Sequence, residues 1–108
     1  MARRDVVEIL SQAGLPVIDS FYMDGEERVF PVVAYMDEGS NVFPADNGAY
    51  AVFDLWSAAL YMRDFDDSLV ESVSAALQDG GVTASRQAPS YDRDEQLWRQ
   101  QWTFSLKH

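Results

Sequence analysis

The stretch Ala49–Met62 reads Ala-Tyr-Ala-Val-Phe-Asp-Leu-Trp-Ser-Ala-Ala-Leu-Tyr-Met. It divides into two alternating sets. One is Tyr50, Val52, Asp54, Trp56, Ala58, Leu60 and Met62; the other is Ala51, Phe53, Leu55, Ser57, Ala59 and Tyr61. Both sets are mostly apolar. A strand with two apolar faces is covered on both sides, so it lies at the centre of a sheet or in an interface. A buried helix is also apolar all round. The aromatic and β-branched residues favour a strand, as does the turn Pro44-Ala45-Asp46-Asn47-Gly48 just before it. The one charge inside the run, Asp54, must reach a partner or an edge, because an unpaired buried carboxylate is costly.

On the N-terminal side, Val6, Val7, Ile9, Leu10 and Ala13 share one face at helical spacing, which predicts a helix over Asp5–Ala13 stopped by Gly14 and Pro16. Arg3 and Arg4 precede it, either as a frayed terminus (residues 1–4) or as contacts to a neighbouring subunit. Val17–Met23 reads as a first strand, Asp24-Gly25-Glu26-Glu27 as a hairpin-like turn, and Arg28–Met36 as a second strand. Pro31 removes a donor inside that second strand, which places it on an edge or at a bulge. The segment 37–48 has little periodicity and reads as a loop, yet it holds Val42 and Phe43. Such a loop is either tucked onto its own domain or ordered by a partner subunit.

Beyond Met62, Leu69, Val70, Val73, Ala76 and Leu77 make the apolar stripe of a second helix over Ser68–Asp79, ended by Gly80-Gly81. Ser68 and Glu71 have capping-box spacing, with Asp66 and Asp67 as competing caps. Val82–Ser90 is a weak strand with Pro89 near its end. In the last strand Trp98, Gln100, Trp102, Phe104 and Leu106 alternate with Arg99, Gln101, Thr103, Ser105 and Lys107, one face on the core and one wet. The fold class is therefore α+β: two helices packed on a small mixed or antiparallel sheet of about four or five strands, in the order α-β-β-β-α-β-β.

A chain of 108 residues is one domain, able to bury over ~60% of its unfolded surface. It has no cysteine, which excludes disulfides, thiolate metal sites and cysteine nucleophiles. The only histidine is the terminal His108, so histidine catalysis and histidine metal sites are not expected. The acid groups Asp37/Glu38, Asp66/Asp67 and Asp92/Asp94/Glu95 lie in turns or at a helix start, where carboxylates cap main-chain N–H groups. They lack the spacing of a calcium loop. Neither an enzyme nor a cofactor is expected. No apolar stretch is long enough for a membrane helix, and Met-Ala-Arg-Arg-Asp does not open a secretory signal, so synthesis in the cytoplasm is expected.

Eighteen acidic residues against eight basic ones give a formal charge of −10. That argues against a primary role in gripping a phosphate backbone, which needs clustered Lys and Arg. It leaves solubility, mimicry of nucleic-acid charge, or a wall that repels passing DNA. Tyr22, Tyr35, Tyr50, Trp56, Tyr61, Trp98 and Trp102 lack the accompanying basic residues of a base-stacking platform, and read as core and interface.

Several stretches, in order, resemble a known group. They are Gly14-Leu15-Pro16-Val17, Phe30-Pro31-Val32-Val33-Ala34-Tyr35, Ala45-Asp46-Asn47-Gly48-Ala49-Tyr50, Leu60-Tyr61, and Glu95-Gln96-Leu97-Trp98 leading to Trp102-Thr103-Phe104-Ser105-Leu106. In this order the chain resembles the tail terminator or tail-completion proteins of long-tailed bacteriophages and prophages. The resemblance implies a structural virion protein of the head–tail junction, assembled in the host cytoplasm. It further implies a homohexameric ring that caps the tail tube and joins the head, with the tail tube protein and a head-completion or connector protein as partners. No enzymatic activity, cofactor or metal is implied. DNA would pass through the ring without specific binding. Subunit-interface candidates are Arg3, Arg4, Pro31, Val42, Phe43, Pro44, Asp46 and Asn47. Channel-lining candidates are Asp24, Glu26, Glu27, Asp66 and Asp67, with Asp92 and Asp94 beside them. The competing reading is an acidic DNA mimic that inhibits a host nucleic-acid enzyme. It requires carboxylates at phosphate-like spacing along one face.

Overall fold

The computed structural model describes residues 3–21, 28–44 and 50–107, with side chains over 5–21, 28–39 and 54–106. Its centre is β3 (Tyr50–Met62), the strand expected there. On one side β3 pairs antiparallel with β2 (Val32–Pro44), and on the other with β6 (Leu97–Lys107). One face of β3 carries Trp56, Ala58, Leu60 and Met62 into a core with Val33 and Tyr35 of β2 and Trp102, Phe104 and Leu106 of β6. Helices α1 (Arg3–Ser11) and α2 (Asp67–Asp79) close that core with Val6, Leu10, Val70, Val73 and Leu77. Each fully buried aliphatic side chain there contributes about 1.5–3 kcal/mol of transfer free energy. On the other face Ser57 and Ala59 are also buried, opposite Thr103 and Gln101, and the Phe21 ring lies 4.3 Å from that of Tyr61. Cover on both faces is why both alternating sets are apolar. Asp54 is half-buried opposite Leu106, where β6 is ending.

The start of the sheet differs from expectation. β1 (Val17–Asp19) pairs with β2 in parallel, Val17 opposite Val33, so the two strands are not a hairpin. β1 stops early because Ser20 takes a φ of 61°, which leaves extended geometry. Parallel neighbours need a crossover. The described ends of this one run over the second sheet face: Phe21 stacks on Tyr61, Arg28 pairs with Glu95, and Arg63 lies 4.9 Å over the Phe30 ring. Pro31 is not inside a strand. It follows a cis Phe30–Pro31 bond and stands one residue before β2, so its missing N–H falls outside the ladder.

The expected loop over 37–48 is also corrected as far as 44, since β2 continues through Pro44; residues 45–48 lie outside the described residues. The register shifts between Asp37 and Gly39, where Asp37 Oδ1 accepts the Gly39 N–H at 2.9 Å and Gly39 takes a φ of 103°. Such a bulge inserts one residue and reverses the inward–outward alternation, which hides the strand from a periodicity reading. The last β3–β6 pair is Phe53–Lys107. Beyond it, Val42–Val52, Phe43–Ala51 and Pro44–Tyr50 form a two-stranded arm. The chain measures 50 × 28 × 24 Å.

The weak strand over Val82–Ser90 is two short ones, β4 (Ala84–Arg86) and β5 (Ser90–Asp92), both antiparallel to β6. Pro89 interrupts the line between them, while the Gln87 N–H still reaches the Gln101 carbonyl at 2.8 Å. Among the described residues the sheet therefore has six strands in the order β1-β2-β3-β6-β4, with β5 also on β6. α1 begins at Arg3, so Arg3 and Arg4 form its first turn rather than a frayed lead-in. α1 meets α2 at Gly80, where a Cβ would fall 2.8 Å from Ile9 side-chain carbons. Only glycine allows that approach. No described helix is long and apolar enough to cross a membrane.

Candidate functional site

The predicted acid groups have local structural work. Asp66 is the N-cap of α2; its carboxylate accepts the Ser68 N–H at 2.9 Å and the Ser68 hydroxyl at 2.6 Å. These bonds hold its carboxyl below the usual carboxylate range. Ser68 is therefore the residue capped against and not the cap, and Glu71 accepts from Arg86 at 3.2 Å instead of closing a capping box. Asp67 is the first helical residue and is exposed. Asp92 Oδ1 accepts the N–H groups of Asp94 and Glu95 in the turn between β5 and β6. Glu38 accepts the Ser57 hydroxyl at 2.8 Å. Among the described residues, no three His, Cys, Asp or Glu side chains gather as a metal site.

A pH dependence follows. The folded carboxyl of Asp66 titrates below its unfolded value, so its contribution is full above the unfolded pKa and is lost as pH falls through the folded one. Asp66→Ala should lower the melting temperature at neutral pH and make acid-side melting less steep than in the parent. Thermal melts from neutral to acid pH check this; parallel curves for the two proteins would refute it.

The interface candidates separate in space. Val42, Phe43 and Pro44 lie on the β2 side of the arm, opposite Val52, Ala51 and Tyr50. Arg3 and Arg4 lie in the first turn of α1. Pro31 borders an open hollow with Met62, Arg63 and Phe65. Asp24, Glu26, Glu27, Asp46 and Asn47 lie outside the described residues. Past Tyr35 the only described neighbour of β2 is β3, so the outer edge of β2 presents main-chain groups there.

Residue patterns missed one cluster. Phe65, Trp98 and Tyr91 come from the β3–α2 connection, β6 and β5. The Trp98 ring lies 5.4 Å from Phe65, edge-on, and 5.1 Å from Tyr91. Phe65 and Tyr91 are 37% and 46% exposed, unusual for large rings, and Trp98 is half-buried between them. Alternation alone assigns Trp98 to the core, and only the β5–β6 register, Tyr91 opposite Trp98, brings the three together.

No protein-family model matches the chain, and no curated protein matches it.

Proposed function

We propose that the protein is a structural ring subunit of a phage tail, which ends the tail tube and offers the surface that joins the head. The observation that carries this reading is the β2–β3 arm beyond the last pair with β6. A two-stranded ribbon is marginally stable by itself in water. An arm of this kind gains stability by packing on a neighbour, and a repeated head-to-tail contact closes into a ring when its rotation allows. The order of the resembling stretches supports the same reading. In such a ring, Val42, Phe43 and Pro44 are contact residues, and acids such as Asp66 and Asp67 face a lumen where they repel passing phosphates.

Native mass spectrometry across a concentration series, with negative-stain imaging, tests the proposal. A closed ring of about six copies with a central hole is expected. A monomer or dimer that captures a nucleic-acid enzyme in a defined complex would replace this reading with the inhibitor.

Arg3→Glu with Arg4→Glu separates contact from fold. The helix N-terminus disfavours cations, so two glutamates there should stabilise α1 by about 0.3–1 kcal/mol each. Rings should weaken while the melting temperature holds or rises. Unchanged rings would remove both arginines from the interface.

A further inference from the structure

At the root of the arm the two strands differ in length. Between the pairs Asp37–Trp56 and Gly39–Leu55, β2 has one residue more than β3. Two side-chain bonds hold this bulge in shape. Asp37 Oδ1 accepts the Gly39 N–H at 2.9 Å, and Glu38 Oε1 accepts the hydroxyl of the buried Ser57 at 2.8 Å. Ser57 pairs with Met36, before the bulge, so the second bond ties the extra residue back to the sheet.

Gly39 shows what the bulge requires. Its φ is 103°, an angle that L side chains rarely adopt, yet a Cβ there would meet no atom within 4 Å. Space is therefore not the reason for glycine; the backbone angle is.

An extra residue bends the longer strand and adds right-handed twist. Its place decides the effect. At Leu55 and Trp56, β3 is held on its other side by Ser105 and Phe104 of β6. The sheet therefore resists the bend, which passes into the arm where β6 has ended. Pro44 lies about 17 Å beyond Gly39 along the strand, at about 3.4 Å per residue. A change of about 20° at the bulge, the size of one ordinary interstrand twist, moves Pro44 by about 6 Å. A head-to-tail contact closes into a ring only at the right rotation, and otherwise runs on as an open series. The direction of the arm sets that rotation.

We propose that the Asp37–Gly39 bulge aims the β2–β3 arm, and so selects a closed ring over an open series of copies. Glu38 and Ser57 are positioning residues that keep the aim narrow. The choice between ring and open series rests on the ring reading; the aim of the arm does not.

Deleting Glu38 tests this directly, since it removes the extra residue and keeps every described β2–β3 pair. The chain has no cysteine, so two introduced ones carry spin labels at chosen places. Ala51 of the arm is labelled with Gln78, exposed on α2, in one sample and with Ser90, exposed on β5, in another. Pulsed electron spin resonance in an excess of the same unlabelled chain reads distances within one copy. In the deletion at least one distance should shift by about 3–6 Å. Negative-stain images and native mass spectra should show arcs, filaments or a changed copy number in place of the parent ring. Gly39→Ala fits the space but strains the angle, so it should shift the distances too. It keeps the proposal open to refutation if the deletion does not fold. Ser57→Ala leaves the bulge and should broaden both distance distributions. Unbroadened distributions would remove Glu38 and Ser57 from their positioning role. Distances unchanged by both bulge variants would overturn the proposal. So would parent-sized rings from a variant whose arm has shifted. A parent chain that forms no ring ends the ring reading, and the distances then decide by themselves whether the bulge aims the arm.

Discussion

Trp102→Ala is expected to cost about 3–5 kcal/mol. Domains of this size are stable by only about 5–15 kcal/mol, so the variant should be largely unfolded on modest warming. The reason lies in its position. Trp102 is 2% exposed on the helix-covered face of β6. Its cross-strand neighbour on β3 is Ala58, small enough to leave room for the indole. From above, its Nε1–H donates to the Ser74 hydroxyl of α2 at 3.2 Å. The side chain thus ties sheet to helix by packing and by one polar contact. Truncation leaves a cavity that the flanking strands cannot collapse to fill. Trp102→Phe keeps most of the apolar volume and loses the hydrogen bond, so about 1–2 kcal/mol is expected. Urea unfolding followed by circular dichroism checks both. A cost under about 1 kcal/mol for the alanine variant would mean that the sheet–helix core is not centred there.

The elements that hold Trp102 are those that local pattern makes legible. β6 alternates without interruption from Trp98, and Gln100, Trp102, Phe104 and Leu106 are all buried as that alternation requires. β3 is readable because two apolar sets have one explanation, cover on both faces. α2 is readable from its stripe and its cap. What escapes depends on partners distant in sequence. Nothing in Val17–Asp19 states that its neighbour runs parallel, because strand direction belongs to the crossover and not to the strand. The single inserted residue near Gly39 reverses the alternation of β2 and makes a strand look like a loop. The aromatic cluster is invisible for a similar reason. Phe65 and Tyr91 are isolated rings in charged segments until β6 places Trp98 between them. The acid groups are legible one by one: Asp66 and Asp92 bind main-chain N–H groups, as turn and cap carboxylates do.

Shortening the β2–β3 arm should abolish ring assembly and leave the fold in place. Removing residues 42–52 and closing the Asn41–Phe53 pair with an Asn-Gly turn takes away, among the described ladder pairs, those that lie beyond β6. Every core member among the described side chains, from Val6 to Leu106, lies outside the deleted stretch. The urea midpoint and the far-ultraviolet spectrum should therefore stay close to those of the parent. Assembly should respond differently. If Val42, Phe43 and Pro44 are anchors on a neighbouring subunit, the shortened chain has lost the whole contact and should remain monomeric at every concentration where the parent forms rings. A handful of residues carry most of the energy of an interface, about 2 kcal/mol or more at each such position, so removing the whole arm exceeds what a ring contact can spare. Native mass spectrometry of parent and shortened chain, side by side, gives the answer. Rings of normal size from the shortened chain would assign the arm to another partner, and the subunit contact would then fall to the outer edge of β2 nearer Met36, which is 45% exposed. Loss of rings with an unchanged urea midpoint would place the assembly energy in the arm, where an extended ribbon has the least support from its own sheet.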